Sequence, residues 1–230
     1  MALSEDASAP APLTSVVGGP GPTGVTTANF NPPANALILV AITSDGLNTS
    51  STATATVTDN LGSTFTVQVQ VSVDLSGYSG IFTKYLVSPQ TGYNVTIVLN
   101  SAQMQTSNSA GYLIQTFVIT GASAIQNGAN VGTSGTNAMS AAIVAKNLGS
   151  YIYGSANDWS TNAALTPTAN TTAKTSLIGS GDSWGTFRST SPTASLTSQT
   201  YGYTTSNQHT IALYEVVPGI TPAPIAWLTA

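Results

Sequence analysis

Phe65, Val67, Val69, Val71 and Val73 alternate with Thr66, Gln68, Gln70 and Ser72. Successive side chains of a strand point to opposite faces, so this spacing predicts a β-segment with one apolar and one wet face. A helix would scatter the same valines around its circumference. Other β-signals recur along the chain. Leu37-Ile38-Leu39-Val40-Ala41-Ile42 is an unbroken apolar run after Asn31-Pro32-Pro33, the mark of a buried central strand. Thr54 to Thr58 alternates before the turn signal Asp59-Asn60-Leu61-Gly62, and Gly77 to Gly80 reads as a break. Further strands are expected at Ile81–Val87, Tyr93–Asn100, Tyr112–Thr120, Met139–Val144, Tyr151–Gly154, Gly185–Arg188, Ser195–Thr204 and His209–Val217. Ala138 to Lys146 is the one segment where a short helix is an option. About a dozen strands at this spacing imply two packed sheets or a closed barrel. No exact internal repeat is found, which argues against a propeller or solenoid.

The ends differ from the middle. Met1 to Thr23 is rich in Ala, Ser, Pro and Gly, and Pro218 to Ala230 carries Pro218, Gly219, Pro222 and Pro224. Proline removes backbone donors and glycine raises the entropic cost of order. Residues 1–23 and 218–230 are therefore expected to be extended arms flanking one β-domain at 24–217. Such arms would lie across neighbouring subunits, with Trp227 and Leu228 inserting into a partner's pocket.

Charge restricts function more than it restricts fold. Charged residues make up 5% of the 230, against roughly 25% in ordinary domains. The four cations, Lys84, Lys146, Lys174 and Arg188, are scattered, and no patch forms that would neutralise several phosphates. Nucleic acid is not an expected partner. The absence of cysteine excludes disulfides and thiolate metal sites. Glu5 and Asp6 stand where a classical secretory leader would place cations, and no apolar core follows, so folding in the cytoplasm is expected. Leu37 to Ile42 is too short to span a bilayer, and no membrane role is expected. With 41% hydrophobic residues the chain can still fill a sizeable core.

Several segments follow one another in a familiar order. They are Phe30-Asn31-Pro32-Pro33-Ala34-Asn35-Ala36-Leu37-Ile38-Leu39-Val40, Val57-Thr58-Asp59-Asn60-Leu61-Gly62-Ser63-Thr64-Phe65-Thr66, Lys84-Tyr85-Leu86-Val87 and Asn94 to Leu99, then Leu113 to Gly121 and His209 to Val217. Together they resemble the jelly-roll β-sandwich domains of bacteriophage minor tail and head-decoration proteins and of bacterial surface proteins. The resemblance covers about Thr26 to Val217 and implies a two-sheet sandwich. It brings no catalytic residues. Phe117-Val118-Ile119 departs from it, standing where an acidic–aromatic pair is common.

Candidate sites are few. Gly181-Asp182-Ser183-Trp184-Gly185, with His209 as the single histidine, superficially resembles a serine-nucleophile motif. The second glycine is replaced and the histidine follows the serine, so a loop before a strand is favoured. Asp45, Asp59, Asp158 and Asp182 each sit beside a turn-prone residue or Trp, and Asp74 lies two residues before Ser76; bonding to local backbone is favoured over calcium at all five. Glu215, in phase with Ile211 and Leu213, reads as a buried, partnered acid or an edge gatekeeper rather than a general base. Tyr151, Tyr153, Trp159, Trp184, Tyr201 and Tyr203 concentrate in the second half. They serve as core and interface anchors or as a platform for sugar rings. The contact candidates are thus Trp159, Trp184, Tyr201, Tyr203, Trp227 and Leu228. No catalytic residue, cofactor or metal is expected. The expected role is a non-enzymatic structural protein of a phage virion, assembled in the host cytoplasm as a homo-oligomer among capsid or tail subunits. A carbohydrate- or receptor-binding module on a tail or cell surface, with a host glycan as ligand, is the alternative.

Overall fold

A computed structural model describes residues 1–16, 24–44, 54–73, 77–99, 111–160, 162–179, 181–206 and 208–219. They form an all-β protein of sixteen strands and no helix. The first half carries β1 (Ser4–Glu5), β2 (Leu13–Ser15), β3 (Val25–Thr26), β4 (Ala36–Ser44), β5 (Ala55–Asp59), β6 (Thr66–Val73), β7 (Gly77–Leu86), β8 (Val95–Leu99) and β9 (Tyr112–Thr120). The second carries β10 (Asn130–Gly135), β11 (Ala138–Val144), β12 (Tyr151–Asp158), β13 (Thr171–Gly179), β14 (Asp182–Ser189), β15 (Ser198–Ser206) and β16 (His209–Val216).

Every sheet is built within one half. A three-stranded sheet β3-β8-β5 covers one face of a six-stranded sheet β1-β9-β4-β7-β6, to which β2 adds along β9. A five-stranded sheet β10-β16-β12-β14-β13 is covered by the pair β11-β15. The two large sheets then pack face to face. The result is four layers and three cores.

β4 explains why the layers stack. All nine of its residues are buried. Its alternation sends Ile38, Val40 and Ile42 into the outer core with Val57 and Ile97. Leu37, Leu39 and Ala41 go into the central core with Tyr153, Ala212 and Tyr214 of the second half. A strand apolar on both faces needs cover on both, and one sandwich supplies only one cover. The third core joins Ile152, Ala156, Phe187, Ile211 and Leu213 to Met139, Ile143, Tyr201 and Tyr203.

The halves share one pairing pattern in one chain order. In the first, β4 lies between β7 and β9, β6 extends β7, β2 extends β9, and β8 lies between β3 and β5. In the second, β12 lies between β14 and β16, β13 extends β14, and β10 extends β16. There β15 pairs with β11 and also bonds the stretch 166–168, through Thr168 N–H to Gly202 O and Thr204 N–H to Thr166 O. That stretch takes the place of β5. The chain is a tandem pair of topologically equivalent sandwiches, where a single two-sheet domain is expected from sequence.

Several local expectations are corrected. Gly77–Gly80 is the start of β7, not a break, and within Ala138 to Lys146 the residues Ala138–Val144 form β11, not a helix. The valine alternation is interrupted by a register shift between Val67 and Val69. One extra residue inverts the phase of side chains, so Phe65 faces the outer core, Val69 the central core, and Val67 is exposed. The N-terminal stretch to residue 16, expected as an arm across neighbours, is extended but lies along the chain's own β9. Ser4 pairs with Thr120 and Leu13 with Ile114, while Leu3, Ala9 and Leu13 pack into two cores.

Candidate functional site

The acidic residues show what ionisable chemistry the chain retains. Asp59 closes β5, and its side chain is fully buried. Its Oδ1 accepts the N–H groups of Leu61 (3.1 Å) and Ser63 (2.9 Å), the expected turn bonding. Its Oδ2 accepts Tyr93 Oη–H (2.9 Å) and pairs with Lys84 Nζ on β7. Burial alone pushes this carboxyl up. The bonds from Lys84, Ser63 and Tyr93, with the charge of Lys84, outweigh it and hold the group below the ordinary aspartate range. Burial, with the Asp59 charge, pushes the Tyr93 phenol far up.

Glu215 sits on β16, inside its sheet rather than at an edge. Its Oε2 accepts the N–H groups of Ala129 (2.7 Å) and Lys146 (2.9 Å). Its Oε1 accepts Asn147 N–H (2.8 Å) and Ser150 Oγ–H (2.8 Å). Desolvation raises this carboxyl too, and the backbone and Ser150 bonds more than reverse it. Both acids are anionic fasteners: one pins the β5 turn to β7 and to Tyr93 ahead of β8, the other pins the segments before β10 and after β11 to β16. A carboxylate with its lone pairs so engaged is a poor general base.

Ser183, Asp158 and His209 form a row. Asp158 on β12 is in register with Ser183 on β14 and with His209 on β16, and all three are buried. The order is wrong for nucleophile activation. The aspartate stands between the other two, so serine and histidine are two strand spacings apart, roughly 10 Å. Ser183 Oγ donates to Ala163 O at 2.8 Å, and Asp158 Oδ1 accepts Ser160 N–H and Oγ–H. Ser183 is a residue of β14, where a loop before a strand is expected from sequence. Among the described residues no three His, Asp or Glu side chains converge as metal ligands. Asp45 and Asp74 lie outside the described residues.

The aromatic candidates separate. Trp184 and Tyr203 are fully buried and Tyr201 is 6% exposed. Trp184 faces the central seam, its ring against the backbone of Gly111, and Tyr203 stacks edge-on with Phe187 at 5.4 Å. Trp184 and Tyr203 are enclosed between layers and do not form a ligand platform, whereas Tyr201, on the outer strand β15, also lines a surface groove. Trp159 is half-buried just past β12, and its indole N–H donates to Gln208 Oε1 at 2.7 Å. Trp227 and Leu228 lie outside the described residues.

Several depressions mark the surface, among them one of about 270 Å³ beside Thr66, Gln68 and Thr83. A polar groove of about 310 Å³ runs between β15 and the loop before it, with Asn170, Ser191, Ser195, Thr197 and Gln199 on its walls and Ile143 in its floor. A groove of about 380 Å³ lies where Met1, Gly149 and Pro218 meet, with the Met1 ammonium donating to Gly219 O at 2.9 Å. None is signalled in the sequence, because each is assembled from distant segments. No family model, no curated protein and no solved structure matches the chain.

Proposed function

We propose that this chain is a non-enzymatic structural component of a bacteriophage particle, a minor tail or capsid-decoration protein that works through subunit contacts. The observation that carries the reading is the use of its ionisable groups as internal fasteners. Asp59 and Glu215 hold turns, and Glu5 binds Lys174 and Arg188 across the seam between the sandwiches. What faces outward is chiefly Thr, Ser, Asn and Gln. Such side chains pack into extensive polar contacts at low entropic cost. The order β2-β9-β4-β7 beside β3-β8-β5, repeated in the second half, supports a jelly-roll description of each sandwich.

Immunogold labelling of purified particles tests the assignment. Gold confined to head or tail is expected, and particles without label would sink it. A second reading, glycan or receptor binding, draws on the groove beside Tyr201, whose uncharged amide and hydroxyl walls suit a neutral polyhydroxyl ligand. On that reading Asn170→Ala and Gln199→Ala abolish a glycan-array signal. A blank array removes it.

A further inference from the structure

We infer that the groove between β15 and the loop before it seats one uncharged pyranose ring, at the position that two aromatic rings close in the first sandwich. The tandem arrangement allows the two ends to be compared. In the first sandwich Val25 pairs with Ile97, Thr27 bonds to Val95 and Phe30 pairs with Tyr93. The last two rings meet edge-on at 5.3 Å, are 5% and 1% exposed, and shut the end of the outer core. In the second sandwich the matching inward pairs are Ala141–Tyr201 and Ile143–Gln199. Strand alternation puts Ala145 and Thr197 next. Phe30 and Ala145 stand equally far ahead of β4 (Ala36) and β12 (Tyr151). Two small side chains thus replace two rings, and a groove of about 310 Å³ opens there, with both of them in its lining.

The lining selects the chemistry of the ring. Ile143, Ala145 and Tyr201 give an apolar floor. Along one wall runs a chain of uncharged groups. Asn170 Nδ2–H donates to Gln199 Oε1 (3.3 Å), Gln199 Nε2–H donates to Thr197 Oγ1 (3.3 Å), and the Thr197 and Ser195 hydroxyls share a bond at 2.9 Å. Side chains that brace one another lose less freedom when a ligand binds. An aromatic side chain seated here would take these amides and hydroxyls out of water without bonding them, which costs free energy. A pyranose offers its ring carbons to the floor and its hydroxyls to the wall. No described residue of the lining is charged, so a uronic acid or an ammonium sugar gains no ion pair. Ligand pockets run from roughly 300 to 1,000 Å³. This groove is at the small end, which admits one ring rather than a stretch of polysaccharide.

This deepens the glycan reading and rests on it. Saturation-transfer NMR on the purified full-length protein tests it, with the methyl glycosides of glucose, galactose, mannose and N-acetylglucosamine as probes. Ring protons of at least one of them are expected to receive saturation. Thr197→Tyr, which brings a ring over the groove from its exposed rim, as Tyr93 does in the first sandwich, should abolish the signal. Ala145→Phe should do the same from the floor. Both variants should keep the wild-type circular dichroism spectrum, and the exposed position of Thr197 keeps the test decisive if Ala145→Phe misfolds. No transfer to any of the four glycosides, or transfer undiminished in Thr197→Tyr, overturns the inference. A glycan array that stays positive in those cases leaves the glycan reading standing with its site elsewhere. A blank array together with no transfer removes both.

Discussion

Glu5 Oε2 lies 2.7 Å from Lys174 Nζ, and its Oε1 lies 3.2 Å from Arg188 Nη1, so a two-residue strand of the first sandwich grips two strands of the second. Tyr153 Oη–H donates to the same carboxylate, and the Arg188 guanidinium sits 4.3 Å over the Tyr151 ring. Three of the chain's twelve charged residues thus meet at one point on the seam. Glu5→Gln should lower unfolding free energy by about 1 kcal/mol, because the pair is partly solvated. The difference should shrink in about 1 M salt, where the screening length falls to about 3 Å. Denaturant unfolding at low and high salt measures both; a salt-independent difference would assign the effect to packing.

Acid should unfold the protein through Asp59 and Glu215. Both carboxyls are held below their ordinary values in the folded state. Their stabilisation is present above the unfolded values, about 3.9 and 4.3, and is lost as pH falls through the lower folded ones. Stability should therefore be flat from neutrality to about pH 5 and drop below about pH 4. Asp59→Asn or Glu215→Gln should each cost about 2–4 kcal/mol at pH 7. The pair of substitutions should flatten the acid limb. Unfolding midpoints against pH read the outcome, and an acid limb unaltered in the double variant would contradict it.

Trp184 should behave as a core residue. Its side chain is fully buried at the seam, so Trp184→Ala should cost about 3–5 kcal/mol. Trp159→Ala, which removes a half-buried ring, should cost much less. Thermal melts of the two variants compare them directly, and similar losses would mean that the second ring is equally built in.

Gly154 should tolerate no side chain. An added Cβ would stand 2.1 Å from Cζ of Phe187, its cross-strand neighbour. The ring lies over the glycine and is itself braced by Tyr203. Gly154→Ala should destabilise by about 1–3 kcal/mol through displacement of that ring, read by calorimetry. A neutral result would show that the third core has slack.

Much of the fold was legible because period and turn chemistry are local. The apolar run at Leu37–Ile42 became the central strand β4, and Tyr112–Thr120 became β9 with the expected ends. β10 and β13 went unread, since Asn130–Gly135 and Thr171–Gly179 are edge strands with largely polar, open faces. The doubling was hidden for a different reason. Equivalent strands share pairing but not side chains: β4 is apolar from Ala36 to Ile42, whereas its counterpart β12 buries Ser155, Asn157 and Asp158. Two of these bond across layers, Ser155 Oγ to Gly80 O and Asn157 Nδ2 to Ser44 O. Alternation cannot reveal such partners. Glu215 reads from sequence as a buried, partnered acid or an edge gatekeeper; β16 is interior and buried throughout, and its donors come from two distant loops.

Quantitative mass spectrometry of gradient-purified phage particles tests most directly whether the protein works by holding rather than transforming. A fixed copy number per particle, in proportion to the major capsid or tail subunit, is expected. Protein abundant in the lysate but missing from intact particles would contradict it.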